Sequence, residues 1–113
     1  RQKDVIITGG ENVSSPEIED ALYQHPGVLE CAVIGVPHEK WGETPKALVV
    51  PRPGESLSED DLIAFCRDRL AHFKCPSSVE FIEELPRTAT GKLQKFKLRE
   101  KYWGDSKRRV SGG

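Results

Sequence analysis

Apolar residues fall into short blocks whose spacing changes along the chain. "VLECAVIGV" (28–36) is apolar at both odd and even positions, as in a strand covered on both faces of its sheet. "KALVVP" (46–51) gives a second strand and "SVEFIEEL" (78–85) a third, with Val79 and Phe81 alternating against Glu80. Two stretches have helical spacing instead. In "SSPEIEDALYQHPG", Ser14 or Ser15 caps, Pro16 fits the first turn, and Glu17 and Glu19 suit the positive end of the dipole. Ile18, Ala21, Leu22 and His25 share one face there, and Pro26-Gly27 stops the helix. In "SLSEDDLIAFCRDRLAHF", Ser58 and Asp61 make a capping pair, and Leu62, Phe65, Cys66 and Arg69/Leu70 form one face. A closing helix spans about Lys95 to Trp103, and "GDSKRRVSGG" (104–113) reads as a disordered basic tail. At the other end, residues 4–8 and 11–13 are extended pieces around Gly9-Gly10. The pattern predicts an α+β domain: a three-stranded, mainly antiparallel sheet flanked by helices, plus a short N-terminal β-hairpin.

The chain has 113 residues, 36% hydrophobic and 31% charged, which fits one globular domain. The longest apolar run, around "CAVIGV", is too short for a membrane span, and no signal peptide opens the chain. There is no methionine, even at position 1, so a piece of a longer protein is expected. Cys31, Cys66 and Cys75 lack CxxC spacing, and the first two sit among apolar residues, where a thiol packs as a small hydrophobe. A reducing compartment follows, and cytoplasmic location with it. His25, His38 and His72 are too scattered for a metal site.

The net charge of −1 conceals an asymmetry. Residues 87–113 carry 9 Lys/Arg against 2 Asp/Glu, whereas residues 1–86 carry 8 against 16. The basic quarter is either an anion-seeking surface, for phosphate, nucleotide or nucleic acid, or a solvated helix with a loose tail.

Three loops hold residues that folding alone does not require. In "ITGGENV", adjacent glycines serve either a hairpin turn or a close backbone approach to a ligand. In "PHEKWGETP" (37–45), Trp41 either folds onto the core or stacks on a flat ring, which is worth about 1–3 kcal/mol for a nucleobase. "LPRTATGKLQK" (85–95) has no acids and sets Lys92 after a glycine. It is not a Walker loop, because Pro86 stands five residues before Gly91 and Leu93 replaces the metal-binding hydroxyl. A lysine on a flexible, acid-free arm remains, suited to an anion outside its own domain.

"RQKDVIITGGENVSSPEIE", "VIGVPHEKWGETPKALVV" and "ELPRTATGKLQKFKLRE" together resemble successive signatures of the C-terminal domain of the AMP-forming acyl-CoA synthetases. The resemblance covers residues 1 to about 103, with R-x-K-D-x-I-x-x-G-G-E-N and P-x-x-x-x-G-K as its specific motifs. It implies a mobile C-terminal domain over 1–103 that joins a large N-terminal adenylation domain of the same chain. That enzyme would turn a carboxylic acid, fatty or aryl, and ATP into an acyl-adenylate, then pass the acyl group to coenzyme A. The small domain would rotate between the two half-reactions, with Mg2+ held in the large domain and the isolated piece inactive.

By the same resemblance, Lys92 is the adenylation lysine, Arg1 meets the nucleotide ribose and Lys3 is the hinge. Gly9 and Gly10 line the pantetheine tunnel, and Trp41 and Phe73 lie near the nucleotide of coenzyme A. Many members read F/Y-K-x-P-K after the long helix. Here "FKCPSS" puts Cys75, Ser77 and Ser78 at positions that are often basic, which leaves a coenzyme A phosphate without its usual partner there. The alternative from another class is a non-catalytic module that binds nucleic acid or another anion through the basic segment. Against it, the aromatics are not interleaved with the basic residues, and no RNA-binding signature appears.

Overall fold

The two central strands are built from residues that are apolar in both directions. A computed structural model describes the backbone of residues 5–111 and the side chains of residues 5–103. Strand β3 (Val28–His38) and strand β4 (Gly42–Pro51) form a long antiparallel ladder, from Val28 opposite Pro51 to His38 opposite Gly42. Alternate residues go to opposite faces of the sheet. Cys31, Val33, Ala47 and Val49 join one core with Ile18 and Leu22 of helix α1 (Ser15–Tyr23) and Leu62 and Cys66 of helix α2 (Glu59–Arg67). Ala32, Ile34, Leu48 and Val50 join a second core with Leu85, against which Leu93, Leu98 and Tyr102 pack.

The N-terminal hairpin forms as the glycine pair requires. Strands β1 (Val5–Thr8) and β2 (Glu11–Ser14) pair in register, with Thr8 opposite Glu11 across a two-residue turn. Gly9 and Gly10 both have positive φ, 58° and 85°, as a mirror-image type I′ turn demands. β1 meets β4 at Thr8 and Gly42. Farther along β4, strand β5 (Ser78–Phe81) pairs in parallel, from Lys46 opposite Ser78 to Val49 opposite Phe81. The expected α+β class, mainly antiparallel sheet and N-terminal hairpin are all present. Among the described residues the hairpin and core strands make one five-stranded sheet.

Helix α2 follows its local signals, whereas the cap expected at the start of α1 is not made. The N-cap residue Ser14 forms no side-chain capping hydrogen bond, and the Ser15 hydroxyl accepts from Lys95 instead. The Ser58 hydroxyl accepts from the Asp61 amide at 3.1 Å, and acids fill the first turn of α2. α1 carries Pro16 in its first turn and ends at Tyr23, ahead of Pro26. Helix α3 (Lys95–Ser111) runs past the expected end at Trp103. Its backbone passes Gly104 into Lys107, Arg108 and Arg109, which are better helix formers than tail formers.

Two further differences have a physical cause. β4 begins at Gly42, not Lys46, so the expected loop 37–45 reduces to a tight turn at Glu39–Trp41. Pro37 and Pro45 imitate a loop signal but sit within the ladder, opposite Glu43 and Gly35. A proline is tolerated where its missing N–H faces no partner, and Pro45 lies on the edge of β4 between β1 and β5. The third strand also stops at Phe81, and the chain then crosses towards the second core through Ile82 and Leu85.

α3 is fastened to the sheet by a small polar cluster. The Tyr102 hydroxyl donates to the Glu80 carboxylate, and Lys101 reaches the same carboxylate at 3.1 Å. The hydrogen bond from Tyr102, more than Lys101, holds the Glu80 pKa below its usual value, while burial and Glu80 push Tyr102 above its own. A depressed carboxylate pKa contributes stability above its unfolded value, and this is lost as pH falls through the folded value. Tyr102→Phe should therefore cost about 1 kcal/mol near neutral pH, because Glu80 is one-third exposed. Urea titrations of the full chain should show that gap closing as pH drops below the model-peptide range of a glutamate.

Candidate functional site

The turn at Glu39–Trp41 is built around His38. Its Nδ1 accepts from the amides of Lys40 and Trp41 at 3.1 and 3.2 Å, and its ring stacks near the indole with centroids 6.2 Å apart. The Trp41 carbonyl accepts from the Gly9 amide at 3.0 Å, which joins this turn to the glycine turn. A Cβ on Gly9 would stand 2.9 Å from Trp41 Cε3, so Gly9 gives the indole its seat. Gly10 faces open space. Both glycines are thus required by the hairpin, and Gly9 is required a second time by the tryptophan. Trp41 itself is neither buried nor free: one edge rests on Gly9 and 45% of the residue stays exposed.

Gly9 and Trp41 form one wall of a groove of about 510 Å³ at the edge of β4. The facing wall comes from the end of α2 and the 3-10 turn His72–Lys74, and it presents Arg67, His72 and Phe73. Phe73 is 44% exposed, so two half-open aromatic rings line a single groove. Gly10 is not among the lining residues. Glu11 is an acid on the groove rim. Sequence reasoning missed Arg67 and His72; the available signal was that Arg67 stands one helical turn after Ile63, another lining residue.

Cys75 and Ser77 line the floor but carry no charge. Cys75 is buried, its pKa raised by that burial, and its thiol donates to the Ala71 carbonyl at 3.6 Å. Ser77 Oγ lies 2.7 Å from Thr44 Oγ1 and donates to the Pro45 carbonyl at 3.2 Å. Ser78 accepts from Lys46 at 3.3 Å. Lys74 is paired with Glu17 at 3.2 Å. The other two thiols pack as expected. Burial drives Cys31 to about 12 and Cys66 to about 11, so both stay protonated and unreactive at neutral pH.

Lys92 lies apart from this groove. The segment expected to be a flexible arm is a hydrogen-bonded turn. The Thr88 amide donates to the Lys92 carbonyl at 2.9 Å, the Lys92 amide donates to Thr88 Oγ1 at 3.0 Å, and Arg87 bridges Leu93. Gly91, at φ 90°, makes the turn possible. Arg87 fastens the whole unit: its guanidinium donates to the Gly91 carbonyl at 3.0 Å and pairs with Glu30 of β3 at 2.5 Å. Leu93 inserts into the second core, on the α3 side of the sheet. The Lys92 side chain is exposed, with no ion pair among the described residues. Arg1 and Lys3 fall outside the described residues.

The basic C-terminal quarter is partly consumed by the fold. Besides Arg87, Lys95 pairs with Glu19 of α1 at 2.7 Å and Lys101 with Glu80 of β5 at 3.1 Å. Basic residues from the last quarter thus clamp onto acids from the rest of the chain. Among the described residues no cluster of three His, Cys, Asp or Glu could hold a metal ion, and no helix is long and apolar enough to cross a membrane.

Residues 17–92 match the family described as the AMP-binding enzyme C-terminal domain. The chain belongs to this family. This AMP-binding C-terminal domain is 50% identical over 100 residues to a peroxisomal trans-cinnamate:CoA ligase of Petunia hybrida, covering 88% of the chain and 18% of that protein. It is 51% identical over 102 residues to a feruloyl-CoA synthase of Amycolatopsis, covering 90% and 21%. Among solved structures it superposes on a Mycobacterium tuberculosis fatty acyl CoA synthetase with a TM-score of 0.86 at 50% identity, covering 93% of the chain and 21% of that one. For ATP-bound MatB of Rhodopseudomonas palustris the TM-score is 0.87 at 46% identity, covering 90% and 20%. The domain thus spans about a fifth of the length of these relatives.

Proposed function

We propose that this domain is the mobile part of an AMP-forming acyl-CoA ligase, an enzyme that activates a fatty or aryl acid with ATP and transfers the acyl group to coenzyme A. The observation that carries the reading is the separation of two sets of residues. Gly9, Trp41 and Phe73 gather in one groove, while Lys92 stands on a rigid turn seated on the α3 side of the sheet. One small domain with two such surfaces can serve two half-reactions by turning. Lys92 would stabilise charge developing at the acid carboxylate and the α-phosphate. The groove would take the nucleotide end of coenzyme A between its aromatic rings, with its slender pantetheine arm passing the glycine turn.

The large N-terminal domain would supply the acyl pocket, most of the ATP site and the Mg2+ that accompanies ATP. Lys3 would act as hinge and Arg1 would meet the nucleotide ribose. Names among the relatives, the cinnamate and feruloyl ligases and the fatty acyl synthetase, support an aryl or fatty acid without choosing between them. Buried free thiols fit a reducing compartment such as the cytoplasm, although the Petunia relative is named as peroxisomal. The basic segment supports nucleic-acid binding less well, since Arg87, Lys95 and Lys101 are engaged with acids of the domain.

The test is product formation by the full-length protein. With ATP and a substrate acid it should build acyl-adenylate, and adding coenzyme A should convert this to acyl-CoA. Failure to consume the adenylate on adding coenzyme A would reject the reading. Arg87 offers a finer check as a positioning residue. Arg87→Ala should lower adenylation about tenfold by releasing the Lys92 turn, a loss on the scale of a charge-assisted hydrogen bond. Thioester formation from supplied acyl-adenylate should stay unchanged, and a rate loss in both steps would assign Arg87 to the fold alone.

A further inference from the structure

A lysine serves a reaction only where its ammonium is delivered to the reacting atoms. Its side chain is long, so a small swing of the backbone moves the charge far, and a misplacement of about 1 Å can cost about 10²-fold in rate. The turn that carries Lys92 is bound within itself by one residue. Thr88 donates its amide to the Lys92 carbonyl at 2.9 Å, and its own carbonyl accepts from the Gly91 amide at 2.9 Å. Its Oγ1 accepts from the Lys92 amide at 3.0 Å and lies 2.9 Å from Thr90 Oγ1. A single threonine thus grips both backbone groups of Lys92, once through the main chain and once through a hydroxyl. Beyond it the Arg87–Leu93 bridge closes the turn, and Leu93 enters the second core.

We propose that Thr88 is a positioning residue for adenylation, and that its hydroxyl sets the direction of Lys92 by holding the Lys92 amide. The inference rests on the ligase reading, which gives Lys92 its task. This bond is local to Lys92, unlike the Arg87–Glu30 pair, which fastens the turn as a whole to β3. Threonine suits the role because its β-branch restricts χ1 and so fixes Oγ1 relative to the backbone. Gly91, at φ 90°, lets the chain fold back so that Lys92 meets that oxygen. Thr88 is half-buried and Lys92 exposed, so the support lies nearer the domain than the charge it supports. At an exposed turn water would satisfy the Lys92 amide without fixing its direction. The hydroxyl adds that direction.

The experiment uses Thr88→Val and Thr88→Ser in the full-length enzyme, alone and combined with Lys92→Ala. Valine keeps the branched shape and removes the acceptor, whereas serine keeps the acceptor and removes the branch. Thr88→Val should lower acid-dependent pyrophosphate exchange about five- to tenfold, the scale of one hydrogen bond, because the main-chain bond to Lys92 remains. Thr88→Ser should recover most of that loss. Thioester formation from supplied acyl-adenylate should match the wild type in both variants. In the Lys92→Ala background Thr88→Val should cost nothing more, since Thr88 acts only through the lysine. Exchange within about twofold of wild type in Thr88→Val would overturn the inference. So would an equal loss in Thr88→Ser, an equal loss in both half-reactions, or a full further loss on top of Lys92→Ala. If Lys92→Ala itself leaves exchange intact, the ligase reading loses its lysine and this inference falls with it. Collapse in Lys92→Ala beside wild-type exchange in Thr88→Val would sink this inference alone.

Discussion

Lys92→Ala in the full-length enzyme should reduce acyl-adenylate formation by about 10²–10³, the usual cost of removing a preorganised charge from a transition state where charge develops. The Lys92 backbone is fixed by Thr88, and Arg87 and Leu93 fix the turn against β3 and the second core. Its side chain projects from that support without an internal ion pair among the described residues, so truncation removes a charge and little packing. Melting temperature should hardly move. Thioester formation from supplied acyl-adenylate should persist, because the groove residues lie elsewhere. Stopped-flow or quench measurements of the two half-reactions would decide this, and an equal loss in both would remove Lys92 from the adenylation role.

Gly9→Ile should have the opposite kinetic signature, and Gly10→Ile is its control. Each substitution forces a β-branched residue into left-handed backbone, at φ 58° and 85°, costing on the order of 2 kcal/mol. Only at Gly9 does the new side chain meet Trp41, with its Cβ 2.9 Å from Cε3, whereas Gly10 looks into open space. Both variants should lose stability from the backbone strain, Gly9→Ile at least as much as Gly10→Ile. Only Gly9→Ile should displace the indole and lower coenzyme A-dependent turnover, by about tenfold or more if a stacked base is lost. Pyrophosphate exchange should remain near normal in both. Equal turnover defects in Gly9→Ile and Gly10→Ile would mean that the hairpin turn, and not the seat of Trp41, is what matters.

These two predictions rest on features that were unequally legible in the sequence. The hairpin could be read from Gly9-Gly10, because only glycine adopts left-handed backbone at two adjacent positions without strain. The apolar run of β3 correctly indicated a strand covered on both faces, by α1 and α2 on one side and α3 on the other. The start of β4 was hidden by Pro45, which sits in the ladder between the β1 and β5 pairings and is held there through its carbonyl, the acceptor for the Ser77 amide, a fact of topology and not of local sequence. The parallel pairing of β5 with β4 was likewise invisible, since Val79 and Glu80 alternate the same way in either direction.

The site shows the same division. The resemblance picked out Gly9, Trp41, Phe73 and Lys92, but no local pattern could tell that the first three share a groove. They come from the β1–β2 turn, the β3–β4 turn and the segment after α2, and the sheet and helices bring them together. Arg67 went unremarked because a charged residue at a helix end ordinarily faces solvent, and His72 was read only as one of three scattered histidines.

The central claim is that this domain works within an enzyme that adenylates a carboxylic acid. Isotopic exchange between pyrophosphate and ATP, run on the full-length protein across a panel of fatty and aryl acids without coenzyme A, tests it most directly. The account predicts exchange that depends on the acid, is strong for a narrow subset of the panel, and collapses in Lys92→Ala. Exchange absent with every acid, or present and undiminished in Lys92→Ala, would contradict it.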